Sequence, residues 1–538
     1  MKLAVAQINS TVGDLAGNAK KILDFTNQAK NKGASLVVTP ELALSGYPPE
    51  DLLLRKGFRL ACINTLEDLV KEVSGITLLL GHPHFVNGKI YNAASLICDK
   101  KIVVTYLKNN ILNDTVFKEC RYFESGSESC VFCVEGIKFG INISTDVQNE
   151  INVTSAQEKG AEVLIVLCAA PYYINKKDLY YKLMCRLAYK TGITIICTNL
   201  VGGQDELVFD GASFVINNKG ELTHQFDEFT EALGLIELKN GLLVGGVIPS
   251  PEILQASIYR ALCLGVKDYI GKNNFTDVLL GLSGGIDSAL TLAIAVDALG
   301  PDRVWAVMMP SEYTADISLQ DSRAMSEVLG VRYSEFSIKP MFDQFVSTLM
   351  NEFQSLQKND EVGATEENLQ ARIRGTLLMA LSNKYGAIVL TTSNKSEMAT
   401  GYCTLYGDMA GGFAILKDIS KTMVYQLCKY RNSLSMVIPE RVIQRAPSAE
   451  LRPNQMDQDN LPPYDVIDGI IEAYMGQDKS LHEIIDMGYI KTDVQHIVEL
   501  ICASEHKRRQ SPMGICVTQR SFSRDWHYPI TSKYKEWV

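Results

Sequence analysis

At residues 278–282 an apolar run, Val-Leu-Leu-Gly-Leu, leads without a break into Ser283-Gly284-Gly285-Ile286-Asp287-Ser288, and a long apolar helix begins at once. No other stretch constrains the fold as tightly, because a strand feeding straight into a helix is half of a βαβ unit. Adjacent glycines let the backbone N–H groups of the turn face an anion with no Cβ in the way. The start of the helix adds further donors and the positive end of its dipole. The hydroxyls of Ser283 and Ser288 can donate to phosphate oxygens. Asp287 would repel a bare phosphate, so in such a loop it makes sense chiefly as a ligand for Mg²⁺. As plain structure, the same residues would be a Gly-rich turn with Asp287 as helix N-cap. The lysine of a Walker A loop is absent.

A chain of 538 residues is too long for one hydrophobic core, so two or three domains are expected. Over the first 235 residues, short runs rich in Val, Ile and Ala (LAVAQI, SLVVTPE, ITLLLGH, YNAASLICD, FGINIS, AEVLIVL, ITIICTNL, ASFVIN) predict strands. Helical patterns lie between several of them, which predicts a layered α/β domain. The Gly/Pro-punctuated stretch at 241–253 reads as a connection. Beyond it, strands separated by long helices predict a parallel sheet. A formal net charge of −10 argues against a general nucleic-acid binder, since that function leaves a basic face. A small anionic substrate in one local basic pocket stays compatible with it. No run reaches the ~18 uninterrupted apolar residues of a membrane span, and MKLAVAQINS has no signal-like core. The expectation is a cytoplasmic protein with free thiols among its 13 cysteines. Cys130 and Cys133 form a lone CxxC on a strand-like run, so no zinc site is expected.

The loop at 281–288 resembles the SGGxDS pyrophosphate loop of the N-type ATP pyrophosphatases, which implies transfer of AMP to a substrate. Four further stretches are similar to the NAD⁺ synthetase family: EENLQARIR (366–374), TTSNKSEMATGYCTLYGD (391–408), APSAELRPNQMDQDNLPP (446–463) and EHKRRQSP (505–512). This resemblance implies an ATP site made of Gly281, Leu282, Ser283, Gly284, Gly285, Ile286, Asp287, Ser288, Thr392, Lys421 and Ser448. It implies contacts to deamido-NAD⁺ from Arg372, His506 and Lys507, and Mg²⁺ held by Asp287 and Glu397. Taken singly, Glu397 reads as a solvated helix acid, Lys421 as a surface lysine, and 507–509 as a salt-bridged helix end. The Gly-rich stretch within 401–420 reads either as a closing loop or as a static surface turn.

The first 235 residues resemble a nitrilase-type glutaminase domain, through PELALSGYPPEDLLLR (40–55) and LVGGQDELVFDG (200–211). The family's Glu–Lys–Cys triad maps to Glu41 as base, Lys108 as charge stabiliser and Ser144 in the nucleophile position. Ser144 stands where a cysteine is expected, and Thr145 replaces the following glutamate. Asp114 replaces a tyrosine that normally contacts glutamine, and Ala170 replaces a substrate-holding serine. Lys176 remains where a glutamine-contacting lysine is expected. A thiol with pKa about 8.5 is far easier to ionise than a serine hydroxyl. The expectation is a degenerate glutaminase. Cys168, at the end of another strand, is the alternative nucleophile, against a buried inert thiol.

The expected fold is an αββα nitrilase-like sandwich over 1–240, a connection at 241–253, and a parallel-sheet domain of adenine nucleotide alpha hydrolase type over 254–538. The implied reaction amidates deamido-NAD⁺ to NAD⁺ through an adenylate, with ATP as co-substrate, Mg²⁺ and free ammonia. No organic prosthetic group is implied, and a homo-oligomer is. Alternatives are glutamine use through Ser144 or a partner glutaminase, another ATP pyrophosphatase, and a non-catalytic nucleotide-binding regulator.

Overall fold

The computed structural model describes residues 1–113, 117–239, 242–355, 364–453, 455–459, 461–534 and 536. It divides into two compact units, Met1–Glu252 and Ile253–Val538.

The two-residue alternation of the short strands builds the layers of the first unit. Along Lys2–Gln7, Leu3 and Val5 enter an apolar layer between two sheets, while Ala4 and Ala6 meet Ile22 and Ala29 of a covering helix. Along Val163–Cys168, Val163, Ile165 and Leu167 face the same inner layer; Leu164, Val166 and Cys168 pack outward against Met184 and Leu187. Among the described residues the first sheet has seven strands, in the spatial order Leu242–Val244, Ala232–Lys239, Lys2–Gln7, Leu36–Val38, Thr77–Val86, Lys89–Cys98 and Lys101–Leu107. The second has six: Leu222–Gln225, Phe214–Ile216, Thr194–Asn199, Val163–Cys168, Ile137–Ile143 and Cys130–Val134. Helices Leu15–Asn31 and Lys56–Glu72 cover the first sheet; Glu150–Glu158 and Lys176–Thr191 cover the second. The result is the αββα sandwich expected from the sequence.

Several strands had no clear sequence signal, among them Lys101–Leu107 and Ala232–Lys239. Lys101–Leu107 is an edge strand whose Ile102 and Val103 are exposed, and Ala232–Lys239 places charged residues within its alternation. Leu242–Val244 pairs antiparallel with Ala232–Lys239, so the first sheet reaches into the stretch 241–253 that reads as a connection. Cys130 and Cys133, three apart on one strand, point to opposite faces and do not converge.

In the second unit Val278–Gly281 lies at the centre of a five-stranded sheet among the described residues. Val304–Met308 and then Arg332–Glu335 lie on one side, Ile388–Thr391 and then Phe413–Ala414 on the other, all parallel. The chain reverses its direction of travel across the sheet at the central strand. Loops leaving the C-terminal ends of Val278–Gly281 and Ile388–Thr391 therefore diverge and open a crevice. One sheet face buries Leu279, Trp305, Val307 and Val389 against Ile373 and Leu378 of helix Ala364–Tyr385. Helix Ile286–Leu299 is buried from Ile286 through Ala295 except Asp287, which accounts for a sequence that is apolar all round. Helices Tyr464–Ile471 and Lys491–Ala503 share a second core with Met398. No helix among the described residues is long and apolar enough to cross a membrane.

Ile165 lies at the centre of the first unit's inner layer with no exposed surface. Ile165→Ala is expected to cost about 2–5 kcal/mol of stability through lost burial and a residual cavity. Chemical denaturation of the full chain, followed by circular dichroism, checks it as an earlier transition.

Candidate active site

The crevice of the second unit holds a cavity of about 270 Å³. Its lining includes the whole loop from Gly281 to Ser288, together with Thr392, Glu397, Lys421, Ser448 and Asp457. Gly284 has φ +80°, and a Cβ there would stand 2.7 Å from Ser318 Cα, so only glycine fits. Ser288 Oγ donates to Gly285 O at 2.9 Å and accepts from Ser283 N–H at 3.2 Å, and the two hydroxyls lie 3.0 Å apart. These bonds curl the loop around its own hydroxyls and leave a cradle suited to an anion.

Behind the cradle three charged side chains converge. Lys421 Nζ lies 2.5 Å from Asp287 Oδ2 and 3.2 Å from Glu397 Oε1. Asn394 Nδ2 donates to Asp287 Oδ1 at 2.9 Å. The Asn394 side chain also accepts from Glu397 N–H at 3.0 Å, and Glu397 Oε2 accepts from Asn394 N–H at 3.3 Å. This is a capping box at the start of helix Lys395–Thr400, and it holds Glu397 in the first turn. Burial pushes the Glu397 carboxyl up to about 8, with Asp287 and Asp457 adding to the rise and Lys421 opposing it. Burial disfavours the charge on Lys421, yet Asp287 and Glu397 outweigh it and hold the ammonium above the usual lysine range. Asp287 and Glu397, which converge on the Lys421 ammonium, are hard oxygen donors of the kind a divalent ion takes, and such an ion needs few protein ligands when phosphate oxygens and water complete its shell. No group of three or more His, Cys, Asp or Glu able to hold a metal occurs among the described residues.

The first unit has its own buried charge cluster. Lys108 Nζ lies 2.9 Å from Glu41 Oε1 and 2.9 Å from both oxygens of Glu119. Asn92 Nδ2 donates to Glu41 Oε1 at 2.7 Å, and Ala169 N–H to Glu41 Oε2 at 3.0 Å. All three charged side chains are buried. Burial raises the Glu41 carboxyl above its ordinary range, Glu119 adds to this, and Lys108 opposes it. Burial disfavours the Lys108 ammonium, but the two carboxylates together hold it above the usual lysine range. Ser144 sits at φ +45° at the junction of strand Ile137–Ile143 and a single turn of helix. Asp146 fastens that junction, accepting from Asn109 N–H at 2.9 Å, Asn110 N–H at 2.7 Å, Ile143 N–H at 2.8 Å and Tyr106 Oη at 2.7 Å. Thr145 Oγ donates to Asn110 O at 2.6 Å, and Asn110 Nδ2 to Thr145 O at 2.8 Å. Among the described residues no hydrogen bond joins Ser144 to Glu41 or Lys108.

Comparison with known proteins agrees with both units. The pattern of the carbon-nitrogen hydrolase family matches residues 2–243, and that of the NAD synthase family matches residues 258–511. The glutamine-dependent NAD(+) synthetase of Acinetobacter baylyi is 44% identical over 539 residues, covering 99% of each chain. The chain belongs to the glutamine-dependent NAD⁺ synthetases. Membership makes it a carbon–nitrogen ligase with NAD⁺ synthetase activity. The solved synthetase from Acinetobacter baumannii, in complex with adenosine diphosphate, is 41% identical with a TM-score of 0.80, covering 100% of this chain and 99% of that one. The synthetase from Cytophaga hutchinsonii shares the fold at 21% identity, with a TM-score of 0.85 and coverage of 99% and 98%.

The structure gathers some of the sequence-derived residues and separates others. Gly281 to Ser288, Thr392, Glu397, Lys421 and Ser448 meet at one cavity, but Ser448 donates its proton to Gln455 O at 2.6 Å within its own loop. Arg372, His506 and Lys507 do not line that cavity. Lys507 Nζ donates to Gly401 O at 2.7 Å and Cys403 O at 2.8 Å, and Arg372 Nε to Leu405 O at 3.2 Å, so both brace the turn at 401–405. His506 is exposed beside Ala503 O. The stretch 401–420 is not one surface loop: Phe413–Ala414 is a sheet strand, and 413–419 is buried. In the first unit Glu41 and Lys108 meet, and Ser144 shares no hydrogen bond with either among the described residues. Cys168 lies 3.2 Å from Cys197 Sγ and 3.1 Å from Tyr180 Oη in the outer helix layer, on the opposite face of its strand from the inner layer. Lys176 is half-buried and donates to Pro171 O. Asp114 falls outside the described residues.

Glu119 and Asn92 carried no sequence signal, since nothing in their spacing marks them, and Asp457 lies within the family-like stretch 446–463 without being singled out by it. Asn394 did carry one: Asn-x-x-Glu before a buried helix is a capping signature.

Replacing Lys108 leaves two buried carboxylates with no counter-charge. Lys108→Met is expected to destabilise the chain by about 3–5 kcal/mol. The loss shrinks at acid pH, where the raised Glu41 carboxyl takes up a proton, and grows as pH rises. Thermal unfolding at two pH values checks both points. Gly284→Ala is expected to cut synthetase kcat/KM at least about tenfold, through local strain of about 1–3 kcal/mol in the loop. Steady-state kinetics at saturating Mg²⁺ measure it.

Proposed function

We propose that the second unit binds Mg·ATP across the loop 281–288 and activates deamido-NAD⁺ as an adenylate with loss of pyrophosphate, after which free ammonia displaces AMP to give NAD⁺. The observation that carries this reading is the convergence of Asp287, Glu397 and Lys421 behind a glycine-built anion cradle. In it, Asp287 and Glu397 would hold Mg²⁺, which when bound would neutralise phosphate charge while the nicotinate carboxylate attacks the α-phosphorus. Lys421 lends its ammonium to the phosphates as negative charge shifts onto the leaving pyrophosphate. Adenylation is needed because a carboxylate is a poor acyl donor. Thr392 and Ser448 line the same cavity and complete the nucleotide site. Arg372 and Lys507 shape the neighbouring turn at 401–405, and deamido-NAD⁺ is held against it, with the exposed His506 as a further contact.

In this reading the first unit no longer hydrolyses glutamine. Ser144 offers a hydroxyl that makes no hydrogen bond to Glu41, and Glu41 is already occupied by Lys108, Asn92 and Ala169. Ala170 cannot supply the hydroxyl of the serine it replaces. A second reading, hydrolysis through Ser144, draws support from the intact Glu41–Lys108 pair and from the positive φ of Ser144, a strained geometry of the kind nucleophile turns use. The relatives are named glutamine-dependent, and this reading keeps that dependence.

Purified full chain with Mg·ATP and deamido-NAD⁺ is expected to form NAD⁺ with ammonium and not with glutamine. Ser144→Ala is expected to leave the ammonium rate within about twofold. Release of glutamate from glutamine that disappears in Ser144→Ala would establish the second reading.

A further inference from the structure

The residues that surround Lys421 come from stretches far apart in sequence, and one carboxylate outside all of them ties two together. We infer that Asp468 is a positioning residue for the synthetase reaction, setting the start of helix Lys421–Leu434 against the turn that carries Glu397. The inference rests on the role proposed above for Lys421 and Glu397.

Each oxygen of Asp468 serves a different element. Oδ1 accepts from Ser396 Oγ, the neighbour of Glu397. Oδ2 accepts from Thr422 N–H at 2.8 Å, the neighbour of Lys421. Ser396 Oγ in turn accepts from Lys421 N–H at 2.9 Å. A serine has one proton to give. Asp468, an acceptor on both oxygens, takes that proton and leaves a lone pair of Ser396 facing Lys421 N–H. The polarity of the whole link is therefore set by the carboxylate. Its charge also favours the N-terminal end of helix Lys421–Leu434.

The helix that bears Asp468, Tyr464–Ile471, makes a second contact one turn earlier. The Tyr464 ring lies 5.2 Å from Lys421 Nζ, and its hydroxyl donates to Asp457 Oδ2 at 2.8 Å. Residues four apart share one helix face, so a single face reaches the Lys421 backbone through Ser396 and lies against the Lys421 ammonium through the Tyr464 ring. The lysine stem is long and flexible; these contacts fix where it starts and where it finishes. Misplacement of a reacting or charge-stabilising group by about 1 Å can cost ~10²-fold in rate.

The test uses the full chain with Mg·ATP, deamido-NAD⁺ and ammonium, and four variants: Asp468→Asn, Asp468→Glu, Ser396→Ala and Lys421→Ala. Asparagine keeps the shape but has one acceptor oxygen, so either Ser396 or Thr422 meets an NH₂ group. Asp468→Asn is expected to lower kcat at least about tenfold, with KM for ATP within about twofold and an unchanged melting temperature. Asp468→Glu, which restores both acceptors, is expected to recover part of the rate. Ser396→Ala breaks the same link without touching Asp468 and is expected to show the same kcat-against-KM split, and it carries the test if Asp468→Asn does not fold. If Asp468→Asn and Ser396→Ala keep kcat within about twofold while Lys421→Ala is inactive, the inference is wrong. Loss of activity only in step with loss of folded protein, with no recovery in Asp468→Glu, likewise overturns it. Full kcat in Lys421→Ala would instead remove the role given to the lysine.

Discussion

Each unit is organised around a buried lysine held between two carboxylates. An ammonium taken out of water costs several kcal/mol unless it is paired and hydrogen-bonded. Lys421 meets that cost with Asp287 and Glu397, and Lys108 meets it with Glu41 and Glu119. The partners come from different elements in both cases. In the second unit they are the loop after Val278–Gly281 and the helix after Ile388–Thr391. In the first they are the turn after Leu36–Val38 and a short turn at Glu119–Arg121. Satisfying the charge therefore brings loops from separate strands to one point, and the layers around them are arranged to allow it.

The two centres differ in what lies in front of them. Asp287, Glu397 and Lys421 face a cavity of about 270 Å³ with a glycine cradle at its rim. Their charges are thus available to a ligand as well as to one another. Glu41 spends its carboxylate on three donors inside the protein, and Thr145 and Asn110 close the Ser144 turn onto the segment after Lys108. A serine needs a free base within reach before it can attack. The contrast in free capacity parallels the proposed division between a working synthetase and a supporting first domain.

Much of the fold was legible. The Gly284-Gly285 turn between an apolar strand and an apolar helix marks a parallel βαβ unit, because few other arrangements satisfy that local chemistry. Short continuous runs rich in Val, Ile and Ala, such as LAVAQI and AEVLIVL, mark strands, and the structure buries them on both faces, with a sheet inside and helices outside. Where alternation included charged residues, as in Ala232–Lys239, or the strand lay at an exposed edge, as in Lys101–Leu107, the signal faded, since pairing rather than burial makes those strands.

The candidate site was half legible, for a related reason. Glycine, serine and acid within the eight residues 281–288 announce themselves because their chemistry is local. So does Asn394 three residues before Glu397. Glu119, Asp457 and Asp468 do not, because their roles depend on partners brought close only by the folded chain: Asp468 lies 72 residues from Ser396 and 46 from Thr422. The sequence by itself determined the layers, the strand–loop–helix junction and the chemical types available at each loop. The tertiary structure alone decided which carboxylates share a lysine, that Ser448 turns to its own loop, and that Lys507 braces the distant turn at 401–405. Backbone periodicity and turn chemistry act over a few residues, whereas the pairing of buried charges is settled only when distant loops meet in a medium of low dielectric.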